Sequence, residues 1–405
     1  MNEGFFAKLR QVRMGDIGHM FLFLLALLPA AVYRWRRPHL WLLCETAEEA
    51  QDNGYWLFRY LCKEQPQVDA VYAIRQRARA YAKVAALGPT VEYGSFKHWI
   101  YYLAAQVNIS SQKCGKPNAA VCYLLEVTLG LLRNRRVFLQ HGIIKDDLPF
   151  LHYKNSGFSL FCCGAAPEYA FVRDTFGYPD GVVQHVGLCR FDGLHGQETD
   201  TGLVLVVPTW RMWLERKHGE AGQQDFLNSA YYSHWNGLLH SGELNLLLER
   251  YDKRLIFCMH RNMGAFAEHM QTESPRIKVL DWQKADIAGL LRKAGTLLTD
   301  FSSVYMDFAY MKKPVLYYQF DEDAFRSGHL PPGYFDYERD GFGPVCRTET
   351  ELRKELERCF QNDCRMAEEY EGRVSGFFTL HDSKNSERTY KAIVKLLKGN
   401  GEGDK

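Results

Sequence analysis

Four short clusters in this chain carry side chains suited to holding an anion and moving a proton. The first is Asp300-Phe301-Ser302-Ser303, with Asp307 four residues after Ser303. Asp300, Ser302 and Ser303 are N-cap residue types, and the residues after them are helix-compatible as far as Lys312-Lys313-Pro314. A helix start presents unpaired N–H groups and the positive end of its dipole, and two hydroxyls beside it complete a pocket suited to phosphate. Asp307, one turn along the same face, is placed to accept hydrogen bonds from a second part of a ligand. The second cluster is His141-Gly142, at the carboxyl end of the apolar stretch Arg136–Gln140. A histidine titrates near neutrality and suits a general base. The third and fourth are Thr209 with Arg211 and His260 with Arg261. Either arginine beside a serine-lined helix start neutralises a diphosphate. Alone, each cluster has a plainer reading: a capped helix, a structural histidine, a solvated arginine. Their weight depends on whether the fold brings them together.

The elements that must do so alternate between strand and helix. Apolar runs at Pro38–Cys44, Val68–Ile74, Val84–Leu87, Val107–Ser111, Arg136–Gln140, Phe158–Cys163 and Val182–Val186 read as strands. Helical stretches at Tyr55–Cys62, Ser95–Gln106 and Ala119–Leu132 separate them. The polar stretch His195–Gly202 reads as a linker. A second set comes after it, with strands at Leu203–Val207, Leu255–Met259, Ile277–Leu280, Gly295–Thr299 and Pro314–Tyr318. The pattern predicts an α/β protein with two parallel sheets, in which ligands sit at the carboxyl ends of strands. The expected domains are 38–195 and 203–375, with a helical segment at 376–398 after them. In the second, Thr209/Arg211, His260/Arg261 and Ser302/Ser303 each come directly after a strand, so parallel neighbouring strands converge all three on one rim. Gly328–Pro344, rich in turn residues and aromatics, reads as a long functional or mobile loop. The tail from Gly399 is expected to be disordered.

At 405 residues the chain exceeds one ordinary core. A formal net charge of +2 gives no case for nucleic-acid binding. The 11 cysteines form no CxxC and no zinc spacing, which favours a reducing compartment and offers no cluster of metal ligands. There is no P-loop and no GxGxxG. Residues 1–37 combine Lys8, Arg10 and Arg13, the apolar run Met20–Tyr33, and Arg34, Arg36 and Arg37. That run is short of the ~20 residues a bilayer span needs. A buried first helix, a membrane-surface anchor and a signal peptide stay open.

These motifs resemble a known family, the CDP-glycerol:poly(glycerophosphate) glycerophosphotransferases, which includes teichoic acid primases and polymerases; related Gram-negative capsule polymerases lie nearby. The resemblance runs through His141-Gly142, Gly187–Asp192, Pro208–Arg211, His260, Thr299–Asp307 and Gly333–Pro344. It covers about residues 40–395, and the Asp300–Asp307 block with Gly333–Tyr337 is its most specific part. It implies two Rossmann-like domains of the glycosyltransferase-B type, in a cytoplasmic enzyme peripheral to the inner face of the membrane. It implies a CDP-glycerol or CDP-ribitol donor and a lipid-linked glycan acceptor. By motif, His141 resembles the base that activates the acceptor hydroxyl and His260 the histidine on the donor phosphates. Ser302 and Ser303 resemble the pyrophosphate-binding pair, and Asp307 the residue holding glycerol or ribose hydroxyls. Thr209, Asp300, Arg211 and Arg261 complete the expected donor site. Ile143 stands where the polymerases usually have threonine, so acceptor type stays open.

The implied reaction is phosphoryl transfer with release of CMP. Fixed dipoles and cations could stabilise the departing charge without a cofactor, and magnesium is compatible because it needs few protein ligands. A nucleotide-sugar glycosyltransferase of the same fold, a catalytically silent envelope-assembly scaffold and a peripheral lipid-binding protein are the rival readings. Donor competition separates the first, His141→Ala the second, and deletion of residues 8–37 the third.

Overall fold

The computed structural model describes residues 13–132, 134–215, 219–281, 286–328 and 331–399. They form two compact units. The first comprises the described residues up to His141, Pro149–Gly193 and those from Asp382 onward; the second comprises Gly142–Leu148 and Leu194–His381.

The first unit holds a seven-stranded sheet. Its strands are β1 (Trp41–Cys44), β2 (Ala70–Ile74), β3 (Thr90–Glu92), β4 (Val107–Ser110), β5 (Arg136–Phe138), β6 (Leu160–Cys163) and β7 (Val183–His185). They lie in the order β3-β2-β1-β4-β5-β6-β7, and every pairing is parallel. β1, β2 and β6 are buried at every residue, as expected when helices cover both faces of a parallel sheet. One core includes Leu43, Phe58, Tyr72 and Val137; the other includes Leu42, Ala73, Trp99 and Tyr102.

The second unit holds a six-stranded parallel sheet. Its strands are β8 (Asp200–Val206), β9 (Arg254–Met259), β10 (Ile277–Asp281), β11 (Ala294–Thr299), β12 (Val315–Tyr318) and β13 (Val345–Cys346), in the order β10-β9-β8-β11-β12-β13. Strand order reverses between β8 and β11, so the crevice expected of such sheets lies at their carboxyl ends.

Several local expectations need correction. Val84–Leu87 is not a strand. Tyr81–Ala85 is a short helix whose one buried residue is Val84, and the third strand comes later, after Pro89. The alanines flanking Val84 favour helix, while the β-branched pair Thr90-Val91 favours strand. The apolar run at Met20–Tyr33 belongs to a 23-residue helix, Met14–Arg36, which is long and apolar enough to cross a bilayer by length and composition alone. Part of the Gly328–Pro344 stretch is packed: among its described residues Phe335, Tyr337 and Phe342 are buried. Strand β8 begins at Asp200, inside the stretch read as linker. The helix set apart at the carboxyl end, Asn385–Lys398, packs Ala392 and Ile393 into a core of the first unit. Its first turn is held by Asp192, which accepts from the Asn385 and Ser386 amides at 2.8 and 2.9 Å. Gly187, at φ +80°, lets Asn385 close in, since a Cβ there would lie 1.7 Å from Asn385 Oδ1. Of the tail expected to be disordered, residues 400–405 lie outside the described residues, as do Lys8 and Arg10 of the basic amino-terminal stretch.

Candidate functional site

Strands β9, β8 and β11 are adjacent and parallel. Their carboxyl ends therefore deliver His260, Thr209 to Arg211, and Asp300 to Ser303 to one edge of the second unit. Thr299 Oγ1 donates to Val207 O at 2.6 Å, which ties the last residue of β11 to the end of β8.

Below that edge lies a buried charge cluster. Asp300 Oδ1 accepts from the Thr209 and Phe301 amides at 2.7 and 2.5 Å. Its other oxygen pairs with Arg211 Nη2 at 2.9 Å. Arg211 also forks onto Asp321 through Nε and Nη2, both at 2.8 Å, and donates from Nη1 to Thr209 O at 2.7 Å. Tyr231, Phe301 and Phe325 ring the guanidinium, each within 5.4 Å. Burial opposes the Arg211 charge, and Asp300 and Asp321 more than restore it, so its pKa lies above the usual arginine value. Arg211 and Asp300 are both fully buried. Neither residue presents surface at this edge, where both were expected to serve the donor: they fix the loop after β8 against the turn after β11. Asp321 and Gln319, whose amide donates to Asp300 O at 2.9 Å, complete the cluster. Both come just after the apolar β12 run, and nothing in their local sequence marks them as partners of residues more than 100 and about 19 positions away. Thr209 is buried too, its amide engaged by Asp300.

Above the cluster the groups are open. Ser302 is half-buried and Ser303 exposed. Ser303 is the N-cap of the helix Val304–Tyr310, but its hydroxyl makes no capping bond. Asp307 is half-buried on the first turn. The helix is anchored from beneath by aromatics: Tyr305 meets Tyr317, Phe335 and Tyr337 at centroid distances of 5.1 to 5.8 Å. Tyr337 Oη donates to Phe301 O at 3.3 Å. The Gly333–Pro344 segment thus buttresses the serine turn.

His260 is half-buried, with its ring nearly parallel to Trp210 at 6.2 Å between centroids. Its Nδ1 accepts from the Asn262 amide at 3.2 Å. A neutral ring held this way carries its proton on Nε2, a donor suited to a phosphate oxygen. Arg261 is exposed.

His141 is exposed at the end of β5 in the first unit. The residue before it, Gln140, has φ +62°, a left-handed conformation uncommon outside glycine. Buried Asn53 holds this turn: Nδ2 donates to Leu139 O and Gln140 O at 3.3 and 2.8 Å, and Oδ1 accepts from the Arg190 amide at 3.0 Å. The Gln140 side chain donates to Cys162 O. Asn53 is legible in the sequence only as part of the polar Asp52-Asn53-Gly54 stretch after β1. Directly after His141 the chain joins the second unit, where a Cβ on Gly142 would lie 3.6 Å from Ser303 Oγ. Lys145, buried and paired with Asp146, stands 5.6 Å from the Tyr337 ring. Among the described residues, no three His, Cys, Asp or Glu side chains are grouped so as to hold a metal ion.

Comparison with known proteins adds four findings. A family model described as CDP-Glycerol:Poly(glycerophosphate) glycerophosphotransferase matches residues 188–395. The minor teichoic acid biosynthesis protein GgaB of Bacillus subtilis (strain 168) is 28% identical over 385 residues, 89% of this chain; the chain spans 40% of that protein's length. Among solved structures, the wall teichoic acid polymerase TagF aligns over 96% of this chain and 100% of that one, with a TM-score of 0.66 and 15% identity. A TagF variant soaked with CDPG aligns over 90% of each chain, with a TM-score of 0.62 and 17% identity. The shared fold is two parallel α/β sheets of the glycosyltransferase-B type.

Proposed function

This chain belongs to the CDP-glycerol:poly(glycerophosphate) glycerophosphotransferase family, and from that premise we propose that it transfers glycerol phosphate, or ribitol phosphate, from a CDP-polyol to a hydroxyl of a membrane-linked glycan or polyol-phosphate acceptor. CMP is the other product. The observation that carries the reading is the shared edge of β9, β8 and β11, where open serine hydroxyls and a half-buried histidine stand over a rigid buried charge cluster.

In this reading the donor diphosphate lies against Ser302 and Ser303 at the head of the Val304–Tyr310 helix. The Nε2 proton of His260 hydrogen-bonds a phosphate oxygen, and Arg261 adds positive charge. Asp307 accepts from polyol or ribose hydroxyls. His141 takes the proton of the acceptor hydroxyl as its oxygen attacks the β-phosphorus. The bond from that phosphorus to the bridging oxygen breaks, and CMP leaves with the electron pair. Catalysis then rests on positioning and on charge stabilisation by groups that need no reorganisation. No cofactor is required for this chemistry, and magnesium is compatible with it.

Arg211 and Asp300 act indirectly, by holding the loop and turn on which the contacting groups sit. The acceptor is carried by lipid at the inner face of the cytoplasmic membrane, which suits the apolar helix Met14–Arg36. The test is donor-dependent CMP release, with and without a membrane extract. Release with CDP-glycerol or CDP-ribitol supports the reading and names the polyol. Thermal protection by UDP- or GDP-sugars in place of either donor contradicts it.

A further inference from the structure

The helix Glu349–Gln361 ends in a turn that brings two thiols together. The chain leaves it through Asn362, Asp363 and Cys364, the last two at φ +52° and +53°. The Cys364 amide donates back to Cys359 O at 2.9 Å, and the Asp363 amide donates to Phe360 O at 3.2 Å. This pair of bonds makes a Schellman ending, in which the residue after the left-handed position packs its side chain on the third residue from the helix end. Those two positions are held by Cys364 and Cys359. Asn362 Nδ2 donates to Arg365 O at 3.2 Å and closes the turn on its far side.

Both sulfurs sit against the amino-terminal halves of β8 and β11. Cys359 Sγ lies 3.5 Å from Thr296 Oγ1, and Cys364 Sγ lies 3.4 Å from Thr201 O. Lys253 Nζ donates to the same Thr201 O at 3.0 Å and stands 5.4 Å from the Phe360 ring. Cys364 is buried and Cys359 half-buried. The hydrogen bond from Cys359 holds the Cys364 thiol below its ordinary value, against the opposing effect of burial; Thr296 and Lys253 add to the lowering. The same bond, together with burial, raises Cys359. Elsewhere burial dominates, and it pushes the thiols of Cys122, Cys189, Cys258 and Cys346 up to about 12. Such thiols stay protonated and inert, whereas a thiolate beside a second cysteine is the arrangement of a reactive pair.

We propose that Cys359 and Cys364 form a redox modification site, a dithiol that hydrogen peroxide converts to an intrachain disulfide. The site goes beyond the transfer reaction, since it lies at the opposite ends of the strands that lead to Thr209 and Ser302. The Cys364 thiolate attacks one peroxide oxygen, the O–O bond breaks, and the departing hydroxide takes up the proton that Cys364 released. The Cys359 sulfur then attacks the sulfur of the Cys364 sulfenic acid. The S–O bond breaks, and water leaves with the Cys359 proton. The two sulfurs lose two electrons in total, and the peroxide is reduced to two waters. In a reducing compartment the pair rests as the dithiol, and a thiol reductant returns it to that state.

The experiment is brief treatment of the full chain with hydrogen peroxide, alkylation of the remaining thiols, and mass spectrometry of a tryptic digest without reduction. Cleavage after Arg358 and Arg365 leaves both cysteines in one peptide, Cys359–Arg365. That peptide is expected to lose two hydrogens and take up no alkyl group, and dithiothreitol before alkylation should restore both thiols. Closure should be at least about fivefold faster in the folded chain than in urea, because only the folded turn lowers the Cys364 thiol. Cys364→Ser should abolish closure and leave Cys359 open to alkylation, whereas Cys114→Ser, at an exposed position, should leave closure unchanged. The comparison between folded and urea-unfolded chain needs no substitution, so it decides the matter even where Cys364→Ser fails to fold. A peptide still fully alkylated at peroxide levels that oxidise Cys114 overturns the proposal. So does closure no faster in the folded chain, or a bridge from either cysteine to a different thiol.

Discussion

Arg211→Met removes one charge and keeps an unbranched apolar chain among Tyr231, Phe301 and Phe325. It leaves Asp300, fully buried, and Asp321, nearly so, without their cation. Breaking a buried ion pair from one side costs about 3–5 kcal/mol, because a carboxylate is left desolvated and unpaired. That is a large part of the ~5–15 kcal/mol by which domains are stable. Arg211→Lys keeps the charge but cannot fork onto Asp321 while also reaching Asp300 and Thr209 O, so a loss of about 1–3 kcal/mol is expected. Combining Arg211→Met with Asp300→Asn and Asp321→Asn removes every buried charge and should recover part of the loss. Urea unfolding gives the global figure. Hydrogen exchange gives the local one, since the Thr209 and Phe301 amides both donate to Asp300. Their protection should fall by about a hundredfold or more in Arg211→Met. Thermal protection by CDP-glycerol should fall with it, because the loop and turn lose their tie. A cost below about 1 kcal/mol with both amides still protected, or a triple variant no more stable than the single one, would refute the positioning role.

Other predictions concern the first unit and the serine turn. His98 is fully buried, and burial lowers its pKa to about 3. A base whose folded pKa is depressed favours folding above its unfolded value of 6.5 and loses that contribution as the pH falls toward 3. The loss should reach about 2 kcal/mol at pH 5, and His98→Asn should flatten the stability profile between pH 6.5 and 4, as read by thermal or urea midpoints. Gly187→Ala should cost about 2 kcal/mol or more in urea unfolding, because alanine resists the positive φ and its Cβ would meet Asn385. Asn53→Ala removes the side-chain bonds to two carbonyls and an amide around the Gln140 turn; stability should fall, kcat should fall about 10- to 100-fold while donor KM changes little, and Asn53→Asp should restore less than half of the stability lost. Ser302→Ala with Ser303→Ala should weaken CDP-glycerol binding by about 1–3 kcal/mol in calorimetry with the fold unchanged.

The convergence of three clusters was readable because each lies at the end of an apolar run, and the neighbours β9, β8 and β11 are parallel. What local pattern could not convey was burial at those ends. Arg211 has the sequence signature of a phosphate-binding arginine, yet its partners Asp300 and Asp321 come from turns about 90 and 110 positions away and enclose it. The same limit hid the aromatic buttress: turn residues and prolines in Gly328–Pro344 signal a loop, whereas Phe335, Tyr337 and Phe342 pack beneath Tyr305 through contacts that sequence periodicity does not encode. The Met14–Arg36 helix was legible as an apolar basic-flanked run, but not the partition of its two faces, which depends on Trp99 and Tyr101 in another helix. Val84 misled for a simpler reason, since one buried valine in an alanine-rich stretch fits a short helix as well as a short strand.

Polyol-phosphate transfer with His141 as base is tested by measuring CMP release from CDP-glycerol and CDP-ribitol with a membrane extract as acceptor, for the unaltered chain and for His141→Ala. Acceptor-dependent release is expected with one of the two donors, abolished by His141→Ala while that donor still protects the variant thermally. Release that persists undiminished in His141→Ala, or its absence with both donors, would contradict it.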